Sequence, residues 1–391
     1  MAHLLTLNAG SSSIKFGLYA IAGAPSMMAL GQFEGLGVQP HMEAANADGE
    51  PLLDKHWPGG AGPATHGAAL QALLDWLGEA VPDADVVACG HRVVHGGPRF
   101  SAPVVVDDEI FMALQGYASL APLHQPHNLS GIEAARAAFP GASQVACFDT
   151  AFHHAHPWVN DIYAIPRRFY DKGVRRYGFH GLSYEYITHH LREHHPALAK
   201  GKVIIGHLGS GASMCAVANG EPIASTLGFS ALDGLPMGTR PGQLDPGVVL
   251  YLLQAEGMDA KDIETLFYKE SGLKGLSGIS NDMRELEASG APGARQAIEY
   301  FVHRVRREVG GLTATMGGLD GLVFTGGIGE NSRNVRKLVC AGMDYFGLSV
   351  DDAKNESNAE DISGADSRCP VLVVKTNEEA MIAAHTARLV A

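Results

Sequence analysis

The sequence predicts an α/β fold built from a duplicated unit, on three observations. Residues 4–17 run as a short apolar segment, a turn of small residues and a second apolar segment; residues 203–214 repeat the pattern. Each reads as strand, Gly/Ser turn, strand. Along the rest of the chain, short apolar strands alternate with helical patterns, as in α/β proteins. A Gly/Ser turn leaves backbone N–H groups and hydroxyls unobstructed, which the oxyanions of a phosphate require. One such hairpin in each half points to a duplicated fold closing on a nucleotide from both sides.

The elements follow in order. Residues 37–64 are polar and rich in Gly, Pro, Asp and His, a surface hairpin or loop excursion. Leu70, Leu73, Leu74 and Leu77 space a helix over 66–80. Residues 86–89 form a buried strand ending at Gly90-His91-Arg92. Residues 128–138 are helical, and 145–148 form a strand ending at Asp149. Arg92 and Asp149 thus fall at strand C-terminal ends, where open α/β sheets bind ligands. Ser183 is a candidate cap for a helix running to about His195. Strands at 202–208 and 213–218 form the second hairpin. Asp245-Pro246 opens a helix through Gln254. Ile298, Phe301, Val302, Val305, Val309 and Leu312 mark one face of a long helix over 295–316. Residues 322–324 are a strand, followed by Gly326-Gly327-Ile328-Gly329-Glu330-Asn331 opening a helix. A strand at 371–374 and a helix at 378–390 close the chain.

Length and composition narrow the function. The 391 residues suffice for two domains with separate cores. The chain is 46% hydrophobic and 18% charged, an ordinary globular composition, and its 48 glycines imply many tight turns. A net charge of −13 argues against nucleic acid or an anionic membrane as partner, since both need clustered Lys and Arg. An anionic substrate would need positive charge concentrated locally. The cysteines, Cys89, Cys147, Cys215, Cys340 and Cys369, are odd in number and form no C-x-x-C pair. They read as reduced thiols of a cytoplasmic protein. No basic segment with a long apolar core begins the chain, and no apolar run approaches the ~18 residues of a membrane span.

Asn8, Ser11, Ser12, Ser13 and Lys15 make the first candidate phosphate loop, and Lys15 is the only charge between residues 4 and 33. It lacks the G-x-x-x-x-G-K-[ST] order of a P-loop. Residues 207–211 are its counterpart. The glycines at 326–329 miss the dinucleotide spacing and suit backbone approaching an adenosine face. Arg92 and Arg240, each flanked by glycines, are the candidate anion binders, because guanidinium matches carboxylate and phosphoryl oxygens in bidentate fashion. His180 lies in a glycine-bracketed loop, and His124 is fixed between Pro122 and Pro126. Three histidine clusters occur: His124 with His127, His153-His154 with His156, and His189-His190 with His194-His195. None has an H-E-x-x-H motif or a cysteine at ligand spacing, which argues against zinc. Asp149 reads either as a cap or as a catalytic or metal-organising carboxylate. No G-x-S-x-G elbow supports a serine hydrolase. Glu378 reads either as a first-turn glutamate or as a ligand to a cation.

These residues resemble a known family. Asn8 to Lys15, His91 to Gly97, Phe148 to Phe152, Arg176 to Gly181, Met237 to Arg240, Ser280 to Arg284 and Asn377 to Glu379 are similar, in order, to the motifs of the acetate kinases. That family belongs to the superfamily of actin, sugar kinases and heat-shock ATPases. The resemblance implies two ribonuclease-H-like (actin-like ATPase) domains with nucleotide in the interdomain cleft, and a homodimer. The domains would be 1–150, completed by the C-terminal helix 378–391, and 151–377. It implies Mg2+ (or Mn2+) at Asn8 and Glu378, ATP or ADP contacted by Lys15, and phosphates held by His207, Leu208, Gly209, Ser210 and Gly211. Asp282, Met283 and Arg284, with Gly327, Ile328, Gly329, Glu330 and Asn331, would line the adenosine pocket. Arg92, with Val94 and His124, would bind the carboxylate substrate; Asp149, His180 and Arg240 would be catalytic. One departure is Ser210, where the family usually has Asn.

The implied reaction is reversible in-line transfer of the ATP γ-phosphoryl group to acetate, giving acetyl phosphate and ADP. A propionate or butyrate kinase of the same fold is the nearest alternative, with Val94 placed to line the acyl pocket. A nucleotide-driven switch like actin is the other, and it needs no carboxylate-binding arginines. An acetate acceptor is already ionised, so the difficulty is two anions meeting. Arg92, Arg240, a protonated or hydrogen-bond-donating His180 and Mg2+ would offset it.

Overall fold

The structure, a computed structural model, describes residues 2–10, 13–58, 62–82 and 84–391. Ser11 and Ser12 of the first candidate loop lie outside the described residues. The chain forms two compact units, Met1–Phe152 with Asn377–Ala391, and His153–Thr376.

The first unit holds β1 (Ala2–Ala9), β2 (Ile14–Ile21), β3 (Pro25–Glu34), β4 (His41–Asn46), β5 (Pro51–His56), β6 (Asp85–Val93), β7 (Val104–Val105) and β8 (Ser143–Phe148). They form one sheet in the order β5-β4-β3-β2-β1-β6-β8-β7. β1 is antiparallel to β2 and parallel to β6, which is parallel to β8. Residues 37–64 carry the β4–β5 hairpin, which extends the sheet edge beyond β3. β1 is apolar almost throughout because both its faces are covered. Leu5 and Leu7 pack with Phe16, Phe33 and the helix His66–Ala80, whereas Leu4 packs with Ala383 and Ala387 of the C-terminal helix Glu378–Val390. Each such side chain contributes about 1.5–3 kcal/mol by leaving water.

The second unit holds β9 (Lys202–Leu208), β10 (Ala212–Ala218), β11 (Glu221–Ser225), β12 (Gly321–Thr325) and β13 (Val371–Val373), ordered β11-β10-β9-β12-β13. β9 and β10 are antiparallel; β9, β12 and β13 are parallel. The pattern matches β3-β2-β1-β6-β8 strand for strand, including the hairpin and the parallel crossovers. It is the ribonuclease-H-like arrangement, present twice. Asp245 caps the helix Pro246–Gln254 by accepting from the Gly247 N–H, and the long helix runs Pro292–Met316.

Two local expectations are corrected. β6 does not end at Gly90; it continues through Arg92 to Val93, pairing with β8. Gly90 serves packing instead, since a Cβ there would lie 2.2 Å from Thr386 Oγ1 and 2.7 Å from Ile382 Cγ2 of the C-terminal helix. Ser183 is not a helix cap. The helix starts at Gly181, after His180 takes a left-handed φ of 58°, which leaves Ser183 inside the first turn with its hydroxyl free for another partner.

Burial also sets an acid limit on stability. His91 bonds Gln144 Oε1 through Nε2 at 2.8 Å, yet burial pushes its pKa down to about 4. Burial does the same to His95 and His153. The unfolded chain takes up these protons near pH ~6.5 and the folded chain does not until about 4, so stability falls as pH drops through that window. The expected slope is about 1.4 kcal/mol per pH unit for each such histidine. Thermal midpoints measured across this range check it, and a flat profile would contradict it.

Candidate active site

In the first unit, the adjacent parallel strands β6 and β8 put Arg92 and Asp149 at neighbouring strand ends. Arg92 Nε donates to Asp149 Oδ1 at 3.0 Å and Nη2 to Oδ2 at 2.5 Å. Nη1 donates to Asn8 Oδ1 at 3.3 Å, from the end of β1. Glu378 Oε2, in the first turn of the C-terminal helix, lies 3.6 Å from Arg92 Nε. The Asp149 side chain is 1% exposed and that of Arg92 18%, so the pair is strong and little screened. Four site residues from three strands and the last helix therefore meet in one cluster.

Burial raises the pKa of Glu378; Arg92 opposes this and neighbouring Glu379 adds to it. An oxygen-only set of Asn8 and a largely buried glutamate, its charge partly offset by Arg92 and Lys15, suits a hard divalent cation. Lys15 sits opposite Asn8 in the β1–β2 register and is exposed. Val94 is buried, and its N–H donates to Asn128 Oδ1, while Asn128 Nδ2 donates to the Ala9 carbonyl. Asn128 thereby ties the end of β1 to the segment after β6. His124 precedes the helix Gln125–Ala138, with Pro126 in its first turn.

In the second unit, His180 and His207 stack with ring centroids 4.2 Å apart. His180 Nδ1 bonds Ser213 Oγ and His207 Nδ1 bonds Ser183 Oγ, each at 2.8 Å. Tyr184 OH also bonds Ser213 Oγ, at 2.5 Å. These contacts aim the His180 Nε2 edge away from the hydroxyls. A Cβ on Gly211 would lie 3.2 Å from His180 Nε2 and 3.3 Å from Arg240 Nη2, so both nitrogens converge over a bare backbone; Nε2 donates there when Nδ1 accepts from the Ser213 hydroxyl or when the ring is protonated. Arg240 is steadied by Nη1 donating to the Ala231 carbonyl at 3.0 Å.

Next to these donors, Gly209 and Ser210 border a cavity of about 600 Å³. Its other walls are residues 281–284, Glu287, Gly327, Ile328, Asn331 and Ser332. Asp282 caps the helix Met283–Ala288 and pairs with Arg284. The Ser210 carbonyl accepts from the Gly238 N–H at 3.0 Å, linking the hairpin turn to the loop that carries Arg240. Two residues expected in the pocket wall face elsewhere. Gly329 packs against Phe324 and Gly206, and the Glu330 carboxylate accepts from the Gly326 and Thr376 N–H groups at 2.9 and 3.1 Å. In a helix only six residues long, one face meets the pocket and the other meets the sheet.

The family model of the acetokinase family matches residues 3–384. The chain belongs to the acetokinase family. A Methylocella silvestris protein named acetate kinase is 55% identical over 99% of this chain and 97% of its own. A crystal structure of a Francisella tularensis propionate kinase superposes with a TM-score of 0.92 at 36% identity, covering all of both chains. Porphyromonas gingivalis acetate kinase gives 0.87 at 37%, again over both full chains.

Sequence reasoning passed over several residues that shape this acetokinase site. Ser213 was legible in principle: counted from the hairpin turn, it stands opposite His207 in the β9–β10 register. Asn128 and Tyr184 carry no such local signal, and Ser183, read as a cap, instead meets His207 Nδ1.

Gly211→Ala gives a direct check on the convergence of His180 and Arg240. Gly211 has no positive φ, so alanine fits its backbone, but the added methyl must displace one donor or both. We expect kcat/KM to fall by about 10- to 100-fold with stability changed by less than about 1 kcal/mol. Unchanged kinetics would show that the two donors do no work at that point.

Proposed function

We propose that this chain transfers the γ-phosphoryl group of ATP to acetate, reversibly and in line, giving acetyl phosphate and ADP. The observation that carries the reading is the convergence of His180 Nε2 and Arg240 Nη2 over Gly211, beside the glycine-walled cavity. Both donors aim at one place without blocking it, as a phosphoryl group gathering charge on its equatorial oxygens would need. The names of the closely similar relatives support the same chemistry.

Arg92 would neutralise the acetate carboxylate. Asp149 accepts two of its hydrogen bonds, so its role is to hold the guanidinium in place rather than to remove a proton; an ionised acceptor has none to lose. Asn8 and Glu378 would hold Mg2+, with Mn2+ as a substitute. When bound, the ion would offset charge between the phosphates. Lys15 and residues 207–211 would meet the phosphates, with Ser210 offering a shorter donor than the family's usual Asn. Residues 282–284 with Gly327, Ile328 and Asn331 would face adenosine. Val94 and His124 would border the acetate methyl.

A homodimer in the cytoplasm completes the proposal. None of the five cysteines forms a disulfide, and all are buried, in keeping with a reducing compartment. Among the described residues, no helix is long and apolar enough to cross a membrane.

The test is hydroxylamine trapping of acyl phosphate with ATP, Mg2+ and acetate, propionate or butyrate. Acetate should give the highest kcat/KM. The Francisella relative's name makes propionate the acid to compare, and one methylene is worth about 1–3 kcal/mol. Acyl hydroxamate from none of the acids would defeat the proposal and favour a nucleotide-driven switch.

A further inference from the structure

Behind His180, the second unit gathers three soft-metal ligands that the proposed phosphotransfer does not use. His153, His156 and Cys215 place one ligand atom each within 4.8 Å of the others. The histidines lie just after β8, on a short 3-10 turn and the residue after it, and the cysteine is on β10, 59 or more residues away. No sequence spacing reveals the trio, because the fold supplies the cysteine.

His153 Nε2 bonds the Phe179 carbonyl at 2.9 Å. A carbonyl can only accept, so Nε2 carries the proton and Nδ1 keeps its lone pair. That lone pair faces Cys215 Sγ at 4.0 Å. A backbone carbonyl holding the far nitrogen is the usual way a protein orients a metal-binding histidine. Both ring nitrogens of His156 are shielded from solvent without a hydrogen-bond partner. Two orphaned polar atoms normally have an explanation, such as an ion not yet in place. Tetrahedral zinc, with bonds of about 2.3 Å to sulfur and about 2.0–2.1 Å to nitrogen, would set the sulfur–nitrogen separation near ~3.5 Å, which the pair reaches with a shift of about half an ångström.

We propose that His153 Nδ1, His156 and Cys215 Sγ form a binding site for one soft divalent cation of the zinc type, with a fourth position left to water. The Cys215 thiol must release its proton as the metal binds, so affinity should rise with pH. Two other clusters, His41–Asp54–His56 and His190–His195–Glu360, offer no thiolate, and their carboxylates already pair with the histidines.

The site is placed to act on the loop that carries His180. Gly178 takes a φ of +72°, and a Cβ there would lie 2.5 Å from the His153 ring. The loop therefore rests on that ring, and a cation fixing the ring fixes residues 178–180.

The test is titration of the full-length protein with Co2+ as a spectroscopic probe, followed by displacement with Zn2+. We expect one equivalent to produce thiolate-to-cobalt charge transfer in the near ultraviolet and the visible bands of tetrahedral cobalt. Zn2+ should abolish both. Cys215→Ser should lose the charge-transfer band, and His156→Gln, at a half-buried position, should weaken binding about 10- to 100-fold. Absence of the thiolate band would overturn the site. So would its persistence in Cys215→Ser, or wild-type affinity in His156→Gln.

Discussion

Arg92→Ala is expected to lower kcat/KM for acetate by about 2–4 kcal/mol, roughly 30- to 1000-fold. The size follows from preorganisation. Asp149 engages Nε and Nη2 and Asn8 engages Nη1, so the guanidinium is already fixed before substrate arrives. A lysine point charge cannot reproduce the fork, and Arg92→Lys should recover less than half of the lost free energy. Arg92→Ala also leaves Asp149, with a side chain 1% exposed, without its cation, which costs about 3–5 kcal/mol of stability unless the carboxyl takes a proton. Kinetics and denaturation midpoints measured together separate the two effects. Arg92→Lys should restore most of the stability and little of the rate. Near-wild-type kcat/KM in Arg92→Ala would remove this residue from the chemistry.

How much of this was legible in the sequence depends on how local each signal is. The two hairpins were readable because strand, turn and register lie within about a dozen consecutive residues; even the Ser213–His207 pairing follows by counting. The capped helix at Pro246 and the long helix ending at Met316 were readable for the same reason. Gly90 misled because its cause is Thr386, almost 300 residues later, packing where a side chain would stand. Ser183 misled because nothing local marks His180 for a left-handed backbone, a strained conformation that functional residues tend to adopt. Cys215 beside His153 and His156 had no spacing signal at all. Motifs pointed to most of the pocket wall, but not to the face each residue turns: Gly329 and Glu330 share a six-residue helix with Gly327 and Ile328, yet point at the sheet.

Arg336→Ala should be the most damaging change outside the chemistry, costing about 3–5 kcal/mol of stability. Arg336, in the helix Arg333–Cys340, is fully buried. Burial, with Arg333 adding to it, lowers its pKa, and no carboxylate bonds it among the described contacts. Neutral oxygens hold it instead. Nε donates to Asn355 Oδ1 at 2.8 Å, and Nη2 donates to the Asn355 carbonyl at 3.1 Å and to Asn358 Oδ1 at 2.6 Å. Nη1 donates to the carbonyls of Gly329 and Glu330 at 3.0 and 2.9 Å. Those two carbonyls belong to the last turn of the helix Gly326–Asn331, where backbone acceptors lack helical partners. One side chain thus satisfies the end of the helix that brings Gly327, Ile328 and Asn331 to the pocket wall. Alanine orphans every one of these acceptors in a space too buried for water to replace them all. The variant should therefore raise KM for ATP more than KM for acetate, since the helix borders the cavity proposed to take the nucleotide. Arg336→Lys keeps the charge but cannot span five acceptors, so it should lose most of the same stability. Denaturant midpoints and the two KM values decide the matter: a stability loss below about 1 kcal/mol, or equal rises in both KM values, would refute the assigned role.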